Sequence, residues 1–422
     1  MAYKHFLFLQ GLRSPFFMRL GKALRDQGQT VSKVNFTVGD TLYWGSAATA
    51  CRVKIEQLDE FYQQLFDQRT PTDIVLFGDC RPVHIPAIAL ATTRGIRVHV
   101  FEEGYFRPDW ITLETTGVNG YSLLPKQSIW YRTSAQILPD EGPPHALSSG
   151  MNARILHDIT YNLASIANPL FYPNYPSHIT YNIHAEYLAY VQRVIRVLKT
   201  RAKDVEKVLS LISHEQYFLL ALQIRGDSQL RFHSEYADSE KLLREVLSSF
   251  ARHAPKGIRL VVKNHPLDPG FTNYGETIAK LAKNLGISER VDYLETGHLP
   301  TLLKHAQGLV TVNSTAIGQA LFHRCPVKAL GRSIFDIDGL LCRESLDTFW
   351  TTPGRVDVEL FNDFTKVVTH VTQVNGGLYS AEGIALAVKN VIPRLLESPS
   401  RLDRLMDLVK PLAPSVPVEV HA

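Results

Sequence analysis

Four cysteines in 422 residues, at positions 51, 80, 325 and 342, show neither CxxC spacing nor a Cys/His ligand pattern. That excludes a sequence-level zinc site and a disulfide framework, and it points to a reducing compartment. Long apolar runs are missing too. No stretch approaches the roughly 18 apolar residues of a membrane-spanning helix, and the apolar core of MAYKHFLFLQG is too short for a signal peptide. The expected location is cytoplasmic, with any membrane contact peripheral. Charge of one sign is scarce: 45 Lys and Arg against 41 Asp and Glu leave +4, too little to imply nucleic acid as a partner. Anionic small substrates or an anionic membrane surface suit this mild basicity. Absent motifs narrow the chemistry further. No GxGxxG follows the first strand pattern and no GxxxxGK[ST] occurs, so neither a nicotinamide cofactor nor a phosphate-loop NTPase is signalled. Without GxSxG a serine hydrolase lacks its elbow. A single Asp336-x-Asp338 pair is poor support for a metal site, so no metal and no cofactor are expected.

What is present is an alternation of short apolar runs with helical patterns, in two series. HFLFLQG (5–11), TVSKVNFTVGD (30–40), DIVLFGDCRP (73–82) and RVHVF (97–101) read as strands separated by helices, and YFLLALQI (217–224), IRLVVKNHP (258–266), VDYLE (291–295), GLVTVNST (308–315) and PVKALG (326–331) form the second series. This spacing predicts parallel, doubly wound sheets and an α/β fold of two Rossmann-like halves facing a cleft. The expected division is 1–185 for the first half, 186–215 for a linking helix, 216–350 for the second half and 351–422 for a helical tail. The long helix, about 185–213, carries Tyr187, Tyr190, Arg193, Arg196, Lys199, Arg201 and Lys203 with apolar residues interleaved. That pattern reads either as a solvated basic face on a core helix or as a contact with anionic lipid.

In open α/β sheets ligands bind beyond the carboxyl ends of the strands, and those ends carry the polar residues. RVHVFEEGYFRP places Glu102 and Glu103 at one strand end, with Gly104 to turn the backbone and Pro108 to stop regular structure. Adjacent strand residues point to opposite sides, so one glutamate would face a substrate while the other braces the loop. In the second series, one loop carries Gln223, Arg225, Asp227, Ser228, Gln229 and His233; the next strand ends on Lys263, Asn264, His265 and Pro266; and Asn313, Ser314 and Thr315 precede a helix. The last cluster can cap a helix whose unpaired N–H groups attract anions. As a cap alone it is unremarkable; with Lys263 and His265 nearby, a phosphate or carboxylate site becomes the better reading.

These blocks carry a resemblance. EEG at 102–104, HP at 265–266 and Ser314-Thr315, in that order across two α/β halves, look like motifs of bacterial transferases that use CMP-activated sugars. LFGDCRPVH, FEEGYFRPDWITLE, GVNGYSLLP, LQIRGDSQLRFHS, KNHPLDPG and TVNSTAIGQAL are similar to the capsule polysaccharide biosynthesis family, specifically its KpsS-like β-Kdo transferases. The resemblance implies a GT-B fold, CMP-Kdo as donor, lysophosphatidylglycerol as acceptor for the first Kdo of a capsule linker, retention of anomeric configuration and no metal. It further implies work at the cytoplasmic face of the inner membrane, with a capsule synthesis or export complex as a partner. On that basis His265, Lys263, Ser314 and Thr315, with Pro266, Asn313, Gln223 and Gln229, would bind the donor's phosphate and carboxylate. Glu103 is the first choice for the catalytic carboxylate, Glu102 the second and Asp227 a rival nucleophile. Arg107 and Arg81 would hold the sugar carboxylate or brace the glutamates. A sialyl-type donor and a non-catalytic assembly or export factor are the alternatives.

Overall fold

The computed structural model describes residues 3–140, 142–148, 150–176, 183–214, 216–224, 234–236 and 239–410. The chain divides into two compact units, Met1–Pro125 with Ile129–His178 and Phe364–Ala422 in one, and Lys126–Ser128 with Ile179–Asp363 in the other. The strands are β1 (His5–Phe8), β2 (Thr30–Asn35), β3 (Thr49–Ala50), β4 (Asp73–Phe77), β5 (Arg97–Glu103), β6 (Trp110–Thr115), β7 (Tyr217–Ala221), β8 (Arg259–Lys263), β9 (Val291–Leu294), β10 (Gly308–Thr311), β11 (Val327–Ala329) and β12 (Gln373–Asn375).

In the first unit the sheet order is β12-β6-β5-β4-β1-β2-β3. The five strands from β3 to β5 are parallel, and their fully apolar stretches (Phe6–Phe8, Ile74–Leu76) are buried on both faces, as parallel sheets require. One face is covered by helices Phe16–Asp26 and Ala381–Leu396, through Phe16, Phe17, Leu20, Ile384 and Ala387. The other is covered by helices Leu58–Arg69 and Ile85–Thr93.

The expectation of purely parallel sheets fails at one edge. β5 runs on through both glutamates and folds straight back into β6, with Glu102 opposite Thr112 and Glu103 opposite Ile111; β12 then pairs antiparallel with β6. Six residues, 104–109, join β5 to β6, and so short a link permits only an antiparallel return, because a parallel partner needs a long crossover. β12 escapes sequence reading because three residues, Gln-Val-Asn, hold no periodicity. The segment 364–422 thus supplies a strand and a sheet-covering helix to the first unit.

The second unit has the all-parallel order β11-β10-β7-β8-β9. Helices Ser239–His253 and Tyr274–Asn284 pack one face through Leu243, Val246, Phe250 and Ile278, together with Phe349 and Trp350. The long helix Ile183–His214 also belongs to this unit. Read from the third strand of each series, both units have the order 3-2-1-4-5, whose strand order reverses beside the first strand. That reversal is where α/β sheets open to ligands.

Candidate functional site

Each unit places a polar bridge across its reversal point. In the first unit this lies between β1 and β4. Gln10, just beyond β1, accepts hydrogen bonds from the Arg81 guanidinium (3.1 Å) and the Tyr175 hydroxyl (3.0 Å), and Arg81 also donates to the Gly11 carbonyl (2.7 Å). In the second unit it lies between β7 and β10. Gln223 and Asn313 are both buried and bonded reciprocally: the Gln223 amide donates to Asn313 Oδ1 (2.9 Å) and Asn313 N–H donates to Gln223 Oε1 (3.1 Å). Two strand ends are thereby pinned at the height where a ligand would sit.

The two glutamates have different surroundings, as the pleat dictates. Glu103 accepts from Arg154 Nη1 and from the Tyr379 hydroxyl, both at 3.1 Å, while the Arg154 guanidinium lies 5.0 Å from the Tyr379 ring centre. Burial, reinforced by the charge of Glu103, raises the Tyr379 hydroxyl well above its ordinary value and keeps it a donor. Glu102 turns toward Gly78, Asp79 and Arg81 and accepts from the Glu103 backbone N–H (3.1 Å). Burial pushes Glu102 up to about 7. The Glu103 N–H and Arg81 pull back, and the negative charges of Glu103 and Asp79 add to the rise. A carboxyl that changes protonation near neutral pH is suited to moving a proton. Arg107 is exposed and donates to the Gly104 carbonyl (3.2 Å). Arg81 braces the end of β1 through Gln10 and Gly11, and its charge acts on Glu102.

Two glycines are set by contact. Gly78 has φ +73°, and a Cβ there would stand 3.4 Å from Glu102 Oε2. Gly104 has no left-handed backbone; a Cβ would fall 2.1 Å from the Trp110 carbonyl oxygen, so the hairpin that carries both glutamates closes only over glycine. Replacing Gly104 with Ala should therefore cost about 1–3 kcal/mol, the range for overpacking a tight contact. A thermal melt compared with a Gly142→Ala control, where a Cβ meets nothing within 4 Å, checks this.

In the second unit the loop after β8 is held from inside. Arg193, on the long helix, is buried; its Nε donates to Glu295 Oε1 (2.9 Å), Nη2 to the His265 carbonyl (2.8 Å), and Nη1 to the carbonyls of Pro266 (2.9 Å) and Asp268. Glu295 also accepts from Asn264 (3.1 Å) and Tyr293 (2.8 Å). Burial works to raise the Glu295 carboxyl, but the hydrogen bonds from Tyr293, Arg193 and Asn264 prevail and hold it below the usual range. Lys263 is buried and donates to the Asn264 carbonyl (3.1 Å). Burial lowers it to about 8, with Arg193 adding to the effect. His265 accepts the Leu267 N–H at Nδ1 (3.1 Å), which leaves Nε2 as the proton-bearing nitrogen of the neutral ring. Pro266 is exposed. The Ser314 hydroxyl accepts from Ala316 N–H (3.1 Å), whereas Thr315 makes no side-chain cap.

Asp227 and Gln229 lie outside the described residues. Asp336 and Asp338 are both ion-paired to Arg343, and no group of three potential metal ligands occurs among the described residues. Reading the long helix as a solvated basic face fails at Arg193, which is buried, and at Arg196, whose Nη2 donates to the Gly270 carbonyl (2.9 Å). Sequence reading placed Arg193 only in a basic face and gave no role to Arg154, Tyr379, Tyr293 and Glu295. Of these last four only Glu295 had a signal, as a carboxylate at the end of VDYLE.

The chain is 36% identical over 385 residues to the capsule polysaccharide export protein KpsS of Escherichia coli, an alignment covering 90% of this chain and 98% of that protein. It is 34% identical over 385 residues to the capsule polysaccharide modification protein LipB of Neisseria meningitidis serogroup B, covering 89% and 92%. Among solved structures, KpsC of Thermosulfurimonas dismutans, a beta Kdo 2,7 transferase, aligns at a TM-score of 0.43 and 14% identity, covering 92% of this chain and 99% of that one. The family model described as capsule polysaccharide biosynthesis protein matches residues 72–379, a span that takes in the Glu102–Glu103 hairpin, the Arg193-held loop and the Gln223–Asn313 bridge. With polar sites at the strand ends of both units and relatives matched over nearly their full lengths, the chain belongs to the capsule polysaccharide biosynthesis protein family.

Proposed function

We propose that this protein is a GT-B glycosyltransferase that moves a β-Kdo residue with retention from CMP-Kdo to lysophosphatidylglycerol, starting the glycolipid on which a capsule chain is built. The observation that carries the reading is the pair of differently tuned strand ends: a carboxyl near 7 at the end of β5 and a buried cation with an imidazole donor at the end of β8. Transfer from an activated acidic sugar needs both, a group to take the acceptor's proton and donors to stabilise charge on the departing phosphate.

In this reading Lys263, His265, Ser314 and Thr315 bind the phosphate and sugar carboxylate, while Gln223 and Asn313 fix the strand ends beneath them. Glu102 replaces Glu103 as first choice for the proton-transferring carboxylate, because Glu103 is occupied by Arg154 and Tyr379. Retention through two displacements also requires a carboxylate nucleophile, and Asp227 is the proposed one. Work at the inner-membrane surface beside a capsule assembly or export complex completes the proposal. Among the described residues no helix is long and apolar enough to cross a membrane.

The test is CMP release from CMP-Kdo generated in place, with and without short-chain lysophosphatidylglycerol, followed by mass spectrometry of the lipid. A one-Kdo mass increment is expected. CMP release without lipid product keeps the donor and rejects the acceptor; release from CMP-sialic acid alone replaces the donor. No release from folded protein with any donor supports the second reading, a glycolipid-binding factor, which the export description of the Escherichia coli relative favours.

A further inference from the structure

The long helix Ile183–His214 has two stripes with different fates. Its inner stripe, Ala189, Arg193, Arg196, Thr200, Asp204 and Leu211, turns toward its own unit. Ala189, Arg193, Asp204 and Leu211 are buried, and Asp204 accepts from the backbone and hydroxyl of Thr296, both at 2.9 Å. The outer stripe is apolar and uncovered. Leu188, Val191, Ile195, Leu198, Val205 and Leu209 are 47% to 70% exposed, and the one small residue in the series, Ala202, is exposed as well.

The spacing of that outer stripe is strict. From Leu188 the steps are three, four, three, four, three and four residues to Leu209, and a further three reach the half-buried Ile212. A 3-4 alternation sustained over three heptads is the signature of a seam that meets another helix. Val194 and Tyr190 widen the exposed apolar face at its start, but from 199 to 213 the exposed residues outside the seam are Lys199, Arg201, Lys203, Glu206 and Ser213. That leaves a narrow double column where a helix lying flat on lipid needs a broad apolar face.

We propose that the outer stripe is the seam of a parallel two-stranded coiled coil formed with a second copy of this chain. Parallel, in-register pairing sets every outer-stripe residue against its own counterpart, eight apolar layers in all. Charge selects the same arrangement. In a parallel pair the residue before one core layer lies beside the residue after the next core layer on the partner. Here those flanking positions hold Arg201 and Glu206, both exposed, so each dimer gains two Arg–Glu pairs, while Lys199 lies beside a partner Val194 and meets no like charge. Eight layers along about 37 Å of helix bury on the order of 1,000 Å², the size a specific interface needs. Dimer formation would also stiffen the helix from which Arg193 grips the loop after β8.

Sedimentation equilibrium and light scattering on the full chain test this at micromolar concentration. The expected mass is twice 47.5 kDa. Leu198→Glu should give a folded monomer with an unchanged circular dichroism spectrum. Arg201→Glu should weaken association at least tenfold by setting two Glu–Glu contacts, and the double reversal R201E/E206R should restore it. A monomeric parent protein, a dimer that survives Leu198→Glu, or a double reversal that restores nothing would each overturn the proposal. A monomer that binds phosphatidylglycerol vesicles through Leu198 would likewise overturn it and give the face to lipid.

Discussion

Glu102→Gln should abolish transfer and, at pH 8, make the protein more stable. The carboxyl has a folded-state value of about 7 against an ordinary 4.5, with burial the main cause. Below pH 4.5 the folded and unfolded chains are both protonated, and the group costs nothing. Between about 4.5 and 7 the unfolded chain releases its proton first, so stability falls as pH rises; above about 7 the full cost of a buried carboxylate is present. Gln copies the protonated form and removes this slope, a gain of about 1–3 kcal/mol at pH 8. Activity should move the other way. Loss of a general base costs about 10²–10⁴ in rate, and the rise of wild-type activity through pH 7 should vanish with it. Thermal melts at pH 5 and pH 8, paired with product formation across that range, read both effects. If Glu102→Gln keeps its turnover, the role passes to Glu103 or Asp227; if the melts show no pH-dependent gain, the Glu102 carboxyl is not raised by burial.

Arg193→Ala should be the most damaging single change to stability in the second unit. It removes four charge-assisted hydrogen bonds and strands Glu295, which is buried. Breaking a buried ion pair on one side costs about 3–5 kcal/mol. The loop carrying Lys263, Asn264 and His265 would lose its inner anchor, so donor KM should rise as well. Two further variants separate position from charge. Arg193→Lys keeps the charge but cannot reach three carbonyls in fixed directions; it should recover part of the stability and little of the donor affinity. R193M/E295L, which removes both charges and keeps bulk, should cost less than the two single changes added together. Denaturant titrations of the parent, R193A, R193K, R193M, E295L and R193M/E295L provide the measurement, and simple additivity of R193M and E295L would show that the pair is not coupled.

Much of this was legible from local pattern. Phe6–Phe8, Ile74–Leu76 and Phe218–Leu220 are short apolar runs bounded by turn residues, and only a strand buried on both faces satisfies them. Two carboxylates, a lysine and a histidine just past such runs, Glu102, Glu103, Lys263 and His265, follow from the same reading, because strand ends are where an α/β sheet leaves polar groups in place. The heptad spacing from Leu188 to Leu209 was equally present in the chain. The basic residues around it share one pattern in the chain, and only burial separates the interior ones, such as Arg193, from the exposed ones.

The sequence by itself determined the α/β class, the two series of strands and the residue types at their ends, since these depend on interactions within a few residues. Tertiary structure alone decided that Glu103 is gripped by Arg154 and Tyr379, 51 and 276 residues away, while Glu102 is left to titrate near neutrality. It alone decided that Arg193 is a buried clamp, that a strand from residues 373–375 closes the first sheet, and that Gly104 is required by the Trp110 carbonyl. Each of these depends on which distant groups share a desolvated space, and no local periodicity encodes that.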